Sequence, residues 1–397
     1  MSNITDMKTH LRRCTRCILP ETYTQIRFTN NGVCNYCQTY ELLKPKLTDF
    51  NYLEALLKQR LDKLRGKYKY DCLVGLSGGK DSSYVTFMLK KKYNLKVLSF
   101  TFDNGFFTTY AKNNIKHVVS MLGIDHFFYT PDSERLSQIY RQALMKFGSP
   151  CLACANLTHF IALKLAFKES IPFIIHGRSR AQMFRSLLAG SMDTFLQLLK
   201  TNFVPYNPSE VKANTFLAQR RSRFLLSRMR NTEEVKKFLD HEIFPDPSFY
   251  RKGAFCPEVL GYFIFEDYDE KKIMSTLSRE IDWKRPEDQR ILTHQDCAAH
   301  DATSYLAHQI LSWSLIEAEA SALIREGKLS RQEALNRTMQ EHVCFEFPDE
   351  SMRILLDKCR ISREELPAII RSCRKSFKWL QFFLTLRDTL KKPRLEL

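Results

Sequence analysis

The chain has 397 residues, is 44% hydrophobic and carries a formal net charge of +17 with a pI near 9.3. That length and apolar content allow one large core or two ordinary ones with small appendages, and the basic balance favours acidic partners such as tRNA, sugar nucleotides, or ATP and an anionic surface. The start, MSNITDMKTHLRRCTRC, lacks the apolar centre of a signal peptide and no stretch reaches a membrane span, so a cytoplasmic protein is expected. In a reducing compartment its 12 cysteines read as ligands, reactive thiols or core residues rather than disulfides.

The first element is a pair of C-x-x-C knuckles, Cys14-Thr-Arg-Cys17 and Cys34-Asn-Tyr-Cys37. Asn31-Gly32 between them has the residues of a hairpin turn. Four thiolates at this spacing can surround one ion tetrahedrally, which predicts a zinc ribbon over residues 1–47. Four protein ligands leave no open position, so the ion's work is folding and docking.

LTDFNYLEALLKQRLDKLRG follows with helical periodicity and ends at Gly66. Asp71 to Leu76 is a short apolar run with β-branched Val74, and from Ser82 the spacing turns helical through Val85, Met88 and Leu89. Ser77-Gly78-Gly79-Lys80-Asp81 therefore sits between a strand and a helix N-terminus, where free N–H groups and the helix dipole favour an anion. The loop of kinase- or GTPase-type enzymes does not fit: the glycine spacing is too short, and Asp81 stands where Ser or Thr would hold magnesium.

Strands are predicted at KVLSFTFD (Lys96 to Asp103), DHFFYT and IPFIIHG (Ile171 to Gly177), with helices at AKNNIKHVVSMLGI, DSERLSQIYRQALMKFG and after Cys154. This alternation predicts a parallel sheet with helices on both faces. Ligands of such sheets lie beyond the carboxyl ends of the strands. That edge gathers Ser77 to Ser83, Asp103-Asn104-Gly105 and Gly177-Arg178. Cys151 and Cys154 in GSPCLACANL open a helix, a position that lowers thiol pKa values and favours metal ligation or persulfide chemistry. A third ligand would come from Cys256 or Cys297, and the spacing does not choose between them.

From Arg178 to Arg230 the chain is basic and helical, with Arg178, Arg180, Arg185, Arg220, Arg221, Arg223, Arg228 and Arg230 among Phe184, Phe216 and Phe224. It reads as either a wall for an anionic acceptor or a solvated face. THQDCAAHD sets His294, Cys297 and His300 at three-residue steps, on one face if helical, beside Asp296 and Asp301. Ser330 with Glu333 forms a capping-box pattern, and the tail FKWLQFFLTLRDTLKKPRLEL suits a core-packed helix. Three regions are expected: the ribbon at 1–47, an ATP-binding domain with a basic helical insertion at 48–256, and a mainly helical region at 257–397.

Ser77, Gly78, Gly79, Asp81 and Ser82 match the Ser-Gly-Gly-x-Asp-Ser motif and so resemble the PP-loop of the ATP pyrophosphatase superfamily. The resemblance implies a doubly wound parallel sheet of the HUP-like kind and cleavage of ATP between the α and β phosphates. Lys80 would then neutralise pyrophosphate, and Asp81 and Asp103 would hold Mg2+ or orient ATP. Ser77, Gly78, Gly79, Ser82, Ser83, Gly177 and Arg178 would complete the nucleotide site. CTRCILPETYTQIRFTNNGVCNYC, YDCLVGLSGGKDSSY, IPFIIHG and LIREGKLSRQEALNR resemble the N-acetyl sugar amidotransferases. That family implies conversion of an acetamido sugar nucleotide for surface polysaccharide, with a separate glutaminase, since this chain shows no glutaminase motif. As the alternative to that favoured reading, PCLACANL resembles tRNA thiolation enzymes. Those imply tRNA, a sulfur-donor protein, and Cys151 and Cys154 as sulfur carriers or iron–sulfur ligands.

Overall fold

The computed structural model describes residues 11–183, 208–251, 253–284, 296–340 and 346–390. Its centre is a five-stranded sheet of β1 (Cys72–Gly75), β2 (Val97–Phe102), β3 (Asp125–Tyr129), β4 (Phe173–His176) and β5 (Glu258–Gly261). The strand order is β3-β2-β1-β4-β5 and every pairing is parallel. All six residues of β2 are buried, as a strand covered on both faces requires. The order reverses between β1 and β4, so a crevice opens at their carboxyl ends.

Four helices connect the first strands: α3 (Lys80–Lys91), α4 (Thr109–Leu122), α5 (Ser133–Phe147) and α6 (Cys151–Lys168). Before them come α1 (Asn35–Leu47) and α2 (Phe50–Leu64); after β4 come α7 (Pro208–Ser227) and α8 (Glu233–Phe238). The chain finishes with α9 (Glu270–Ile281), α10 (His300–Leu311), α11 (Leu315–Arg325), α12 (Arg331–Gln340), α13 (Asp349–Cys359) and α14 (Leu366–Leu390). One face of the sheet packs Leu57, Tyr84, Val85, Ile115, Leu277 and Trp283; the other packs Tyr140, Leu157, Phe160, Leu306, Leu355 and Cys359. C-terminal helices contribute to both, so 257–397 shares the cores of the sheet.

Two details differ from expectation. The fifth strand lies beyond residue 256, where the ATP-binding region was expected to end, and extends the sheet by pairing Phe173 with Glu258 and His176 with Gly261. Arg60 anchors it through a 2.9 Å ion pair to Glu258, both side chains being almost fully enclosed. Removing one partner leaves a buried charge, so Arg60→Met is expected to destabilise the fold by about 3–5 kcal/mol, measured by urea denaturation. The second detail is α6, which is long and apolar enough by length and composition to cross a bilayer. Its Leu157, Phe160, Ile161 and Leu163 instead pack into the core beneath the sheet.

The N-terminal knuckles form a small third core in which Cys14, Cys17, Cys34 and Cys37 are buried with Tyr23, Tyr36, Tyr40, Trp313 and Ala318. Gly32, at φ +76, makes the expected turn, and Phe28 bridges Cys34 in antiparallel fashion. The ribbon is held by α11 and α12. Arg13 pairs with Glu317 at 2.7 Å, Ile18 N donates to Ser321 Oγ at 3.3 Å, and Arg331 Nε donates to Cys17 O at 3.1 Å. Arg180 is 1% exposed and donates to Glu326, Ile264 O and Leu47 O, stapling the ribbon to the sheet. It is therefore structural rather than part of a basic wall.

Candidate active site and cysteine centre

Strand β1 ends at Gly75 and α3 begins at Lys80, so Ser77 to Gly79 form the crossover at the switch point. Ser77 N donates to Ser82 Oγ at 3.1 Å, Ser82 Oγ donates to Gly79 O at 3.1 Å, and Gly79 N reaches Ser77 Oγ at 3.4 Å. These bonds curl the loop over the first turn of α3, at a helix N-terminus whose dipole favours an anion. Gly78 has φ +78, and a Cβ there would lie 2.2 Å from Ala111 O. Gly177 lies against the same turn, where a Cβ would meet Asp81 O at 2.8 Å. Two strand ends thus meet with no room for side chains between them.

Lys80 and Asp81 open α3 and touch one another, with Lys80 Nζ 3.0 Å from Asp81 Oδ2 and 4.0 Å from Glu270 Oε1. Tyr268 OH donates to Asp81 Oδ1 at 3.0 Å. Burial pulls the Lys80 ammonium towards neutrality, but Asp81, Tyr268 and Glu270 more than offset it and hold its pKa well above the ordinary lysine value. Lys80 is therefore a fixed cation beside the loop. Ser83 is fully enclosed, and its hydroxyl has no hydrogen-bond partner among the described residues. Asp103 follows β2 at the same edge, where Oδ1 accepts from Gly105 N at 3.0 Å. Arg178 is exposed beyond β4, beside His176, whose pKa falls to about 3 through burial and then the Arg178 charge. His176 and His159, the latter lowered to about 4, are neutral imidazoles near this edge that no spacing signal marked.

The C-terminal region closes the same edge. Phe107 and Cys297 form an antiparallel bridge, which sets the Asp296 carboxylate 3.6 Å from where a Gly79 Cβ would stand. Lys358 of α13 crosses Gly105 and reaches Ser133 Oγ at 3.1 Å. Cys297 precedes α10, which starts at His300, so the two do not share a helical face; His294 lies outside the described residues.

The second cysteine pair sits at this edge too. The Cys154 thiol is raised to about 11 by burial and then by Cys151, while Tyr140, Asn104 and Thr158 hydrogen-bond it. Cys297 is pushed well above the ordinary thiol value by burial, then by Cys151, Asp296 and Cys154. The expectation of lowered thiol pKa values at this helix start therefore fails for Cys154: enclosure outweighs the dipole. The charges of Cys151 and Cys154 act on Cys297, and Cys256 Sγ lies 3.8 Å from Pro257 O, but among the described residues only the ribbon thiols form a group compact enough to hold a metal ion, so the third ligand stays open.

At the ribbon, Cys14, Cys17, Cys34 and Cys37 place their sulfur atoms within 4.8 Å of one another, all buried, and could hold one metal ion. Hydrogen bonds among the thiols hold Cys14 below the ordinary value and push Cys34 above it. Such splitting is what four close thiols show when all cannot ionise together.

The basic stretch is divided. Arg223 and Arg230 reach Asp240 at 3.7 and 2.6 Å, and Arg223 also lies over the Phe244 ring. Arg220, Arg221 and Arg228 are exposed, as is Phe224 at 62%. Phe184 and Arg185 lie outside the described residues.

Residues 314–386 match the family described as LPS biosynthesis protein WbpG-like, C-terminal domain. An uncharacterised protein of Methanocaldococcus jannaschii is 26% identical over 166 residues. That match takes in 42% of this chain and 58% of the relative, so the chain spans somewhat over half of that protein's length. Among solved structures, the U34-tRNA thiolase NcsA of Methanococcus maripaludis with its 4Fe–4S cluster aligns with TM-score 0.34 and 14% identity. The alignment covers 89% of this chain and 99% of that one. The NH3-dependent NAD synthetase of Campylobacter jejuni, in complex with nitrate, aligns with TM-score 0.29 and 12% identity over 49% of this chain and 94% of that one.

Proposed function

Taking the chain as the PP-loop ATP-utilising enzyme marked by its loop, its sheet and its WbpG-like C-terminal region, we propose that it is an N-acetyl sugar amidotransferase of surface polysaccharide biosynthesis. The observation that carries this reading is the placement of the Ser77–Asp81 loop and Lys80 at the switch point, under a C-terminal region that matches the LPS family. The acetamido oxygen of a nucleotide-linked sugar attacks the α phosphorus of ATP. One O–P bond forms, the α–β bridge breaks, and pyrophosphate leaves with its electron pair. Ammonia then adds to the activated carbon, AMP departs with the former carbonyl oxygen, a proton passes to solvent, and an acetamidino group remains.

Residue roles follow from charge and position. Lys80 and the loop amides stabilise charge building on the leaving pyrophosphate, where fixed donors in a partly enclosed site act most strongly. Ser77 and Ser82 offer hydroxyls to phosphate oxygens, and Gly177 leaves space for the nucleotide. Asp81 and Asp103 are carboxylates suited to Mg2+, which would add charge neutralisation at the phosphates. The four ribbon thiols suit Zn2+ in a closed structural role. A separate glutaminase would supply ammonia, and the proposed setting is the cytoplasm.

A second reading has one observation in its favour: the Cys151 and Cys154 pair opens α6 after the loop, with Cys297 near enough for their charges to act on it. It is that of a tRNA thiolation enzyme, with those thiols holding an iron–sulfur cluster or carrying sulfur and the exposed arginines of α7 meeting tRNA phosphates.

The test measures AMP and pyrophosphate release with nucleotide-linked acetamido sugars plus ammonia, and with tRNA plus sulfide. Protein purified without oxygen is also assayed for iron and acid-labile sulfide. Under the amidotransferase reading, the Cys151→Ser/Cys154→Ser variant retains most of its sugar-dependent activity. Complete loss in a folded variant, with iron and sulfide vanishing together, would establish the thiolation reading instead.

A further inference from the structure

The carbonyl of Gly78 is gripped from behind by two side chains distant in sequence. Asn114 Nδ2 of α4 donates to it at 3.2 Å, and so does Trp283 Nε1, two residues past the end of α9. Both are buried, Asn114 at 5% exposure and Trp283 at 4%. The peptide joining Gly78 to Gly79 is planar and trans, so a carbonyl turned towards Asn114 and Trp283 turns the Gly79 N–H the other way, into the loop. That N–H now reaches Ser77 Oγ at 3.4 Å, a long bond that an incoming phosphate oxygen would replace on the PP-loop reading.

The local sequence does little to fix this orientation. The peptide lies between two glycines, which populate both signs of φ, and Gly78 stands at +78°. Turned over, it would present a carbonyl oxygen to the anion in place of a donor. Turning over would also leave two buried donors without their acceptor, the costly side of hydrogen-bond exchange. We propose that Asn114 and Trp283 are positioning residues that fix the donor face of the Gly78–Gly79 peptide and thereby the loop's grip on the pyrophosphate end of ATP. The inference rests on the PP-loop reading and is independent of the acceptor.

The support behind the two residues is continuous. Asn114 Nδ2 also donates to Lys284 O at 3.2 Å, and Tyr110 OH donates to the same oxygen at 2.5 Å. His117 Nε2 donates to Ile281 O at 2.6 Å. Tyr110, Asn114 and His117 recur at helical spacing, so one stripe of α4 captures the segment that delivers Trp283. The Trp283 ring rests edge-on against Tyr110 at 6.0 Å. A segment after the fifth strand is thereby coupled to a loop after the first.

The test uses full-length protein and two variants. Trp283→Phe keeps an aromatic ring against Tyr110 and removes the N–H. Asn114→Asp keeps the shape and replaces the donor with an acceptor facing two carbonyls. Calorimetry measures inorganic pyrophosphate with Mg2+, and adenosine separately. The pyrophosphate Kd is expected to rise about tenfold in Trp283→Phe, the loss of one hydrogen bond, and further in Asn114→Asp, with the adenosine Kd unchanged in both. Wild-type binding with pyrophosphate affinity unchanged in both variants overturns the inference alone. Equal weakening of pyrophosphate and adenosine overturns it in favour of general loosening. A wild-type protein that binds neither pyrophosphate nor ATP overturns the PP-loop reading, and the inference with it.

Discussion

Gly78→Ala is expected to lower ATP-dependent pyrophosphate release by at least about 100-fold, the loss that follows when reacting groups move by an ångström. The cause is steric and local. An added Cβ would stand 2.2 Å from Ala111 O and 2.9 Å from Ala111 C, backbone atoms of the first turn of α4 that cannot swing aside, at a φ of +78° that a side chain disfavours. Either the loop lifts or α4 shifts, and both spoil the cradle. Gly79→Ala provides the contrast. Its nearest neighbours would be Ser77 Oγ at 3.4 Å and Asp296 Oδ2 at 3.6 Å, so the fold accepts the methyl group while the crevice loses space. Gly79→Ala should therefore keep the wild-type melting temperature and weaken ATP binding, whereas Gly78→Ala loses both stability and turnover. Gly66→Ala, with nothing among the described residues within 4 Å of its Cβ, controls for loss of a positive-φ glycine away from the site. It should cost stability without changing the KM for ATP. Near-normal turnover in Gly78→Ala would show that the loop does not grip phosphate as described.

Removing metal from the ribbon is expected to have the largest effect on stability. Its core consists chiefly of the four cysteines and a few tyrosines, too little apolar material to stand alone. Apparent binding energies of structural zinc sites reach about 10 kcal/mol and are expressed as folding energy. Chelation, or Cys34→Ser, should melt the ribbon and loosen α11 and α12, read as a lowered and broadened thermal transition. Protons compete with metal for the thiolates, so the metal is released more readily as pH falls.

Arg325 gives this prediction a sign that can be checked. It is 5% exposed on α11, one helical turn beyond Ser321, which binds Ile18 N, and its Nη1 has no hydrogen-bond partner among the described residues. The charges of Cys17, Cys37 and Cys34 act on it. A divalent ion with four thiolates is a net anion, and a buried guanidinium beside it is stabilising only while that anion is present. Arg325→Met should therefore weaken metal affinity by about 10- to 100-fold, as loss of a supporting group around a metal does. The same change should stabilise the chelated protein and destabilise the loaded one. Equal shifts in both states would mean that Arg325 only packs.

The sequence carried the parts of the site whose signals are local. The loop was legible because Ser77 to Ser82 form one turn, each residue bonding another within a few positions. The ribbon was legible because a C-x-x-C knuckle fixes two ligands by itself, and strands β1 to β4 because runs such as Val97–Phe102 are continuously apolar. β5 escaped notice because it is four residues long, follows Pro257 and starts with a glutamate that is buried only because Arg60 meets it.

What only the tertiary structure decided is which distant residues the loop would meet. Trp283 is 205 positions from Gly78, and neither its type nor its spacing announces a bond to that carbonyl. The same holds for Tyr268 on Asp81, for Asp296 beside Gly79, and for Arg180, whose charge suggested a surface but whose partners are Glu326 and two carbonyls inside the fold. The sequence by itself determined a glycine loop between a strand and a helix on a parallel sheet, and a four-thiol ribbon, because each is set by short-range backbone geometry. Closure of the site by the C-terminal third depends on how two cores pack across one sheet, a long-range outcome that residue spacing does not encode.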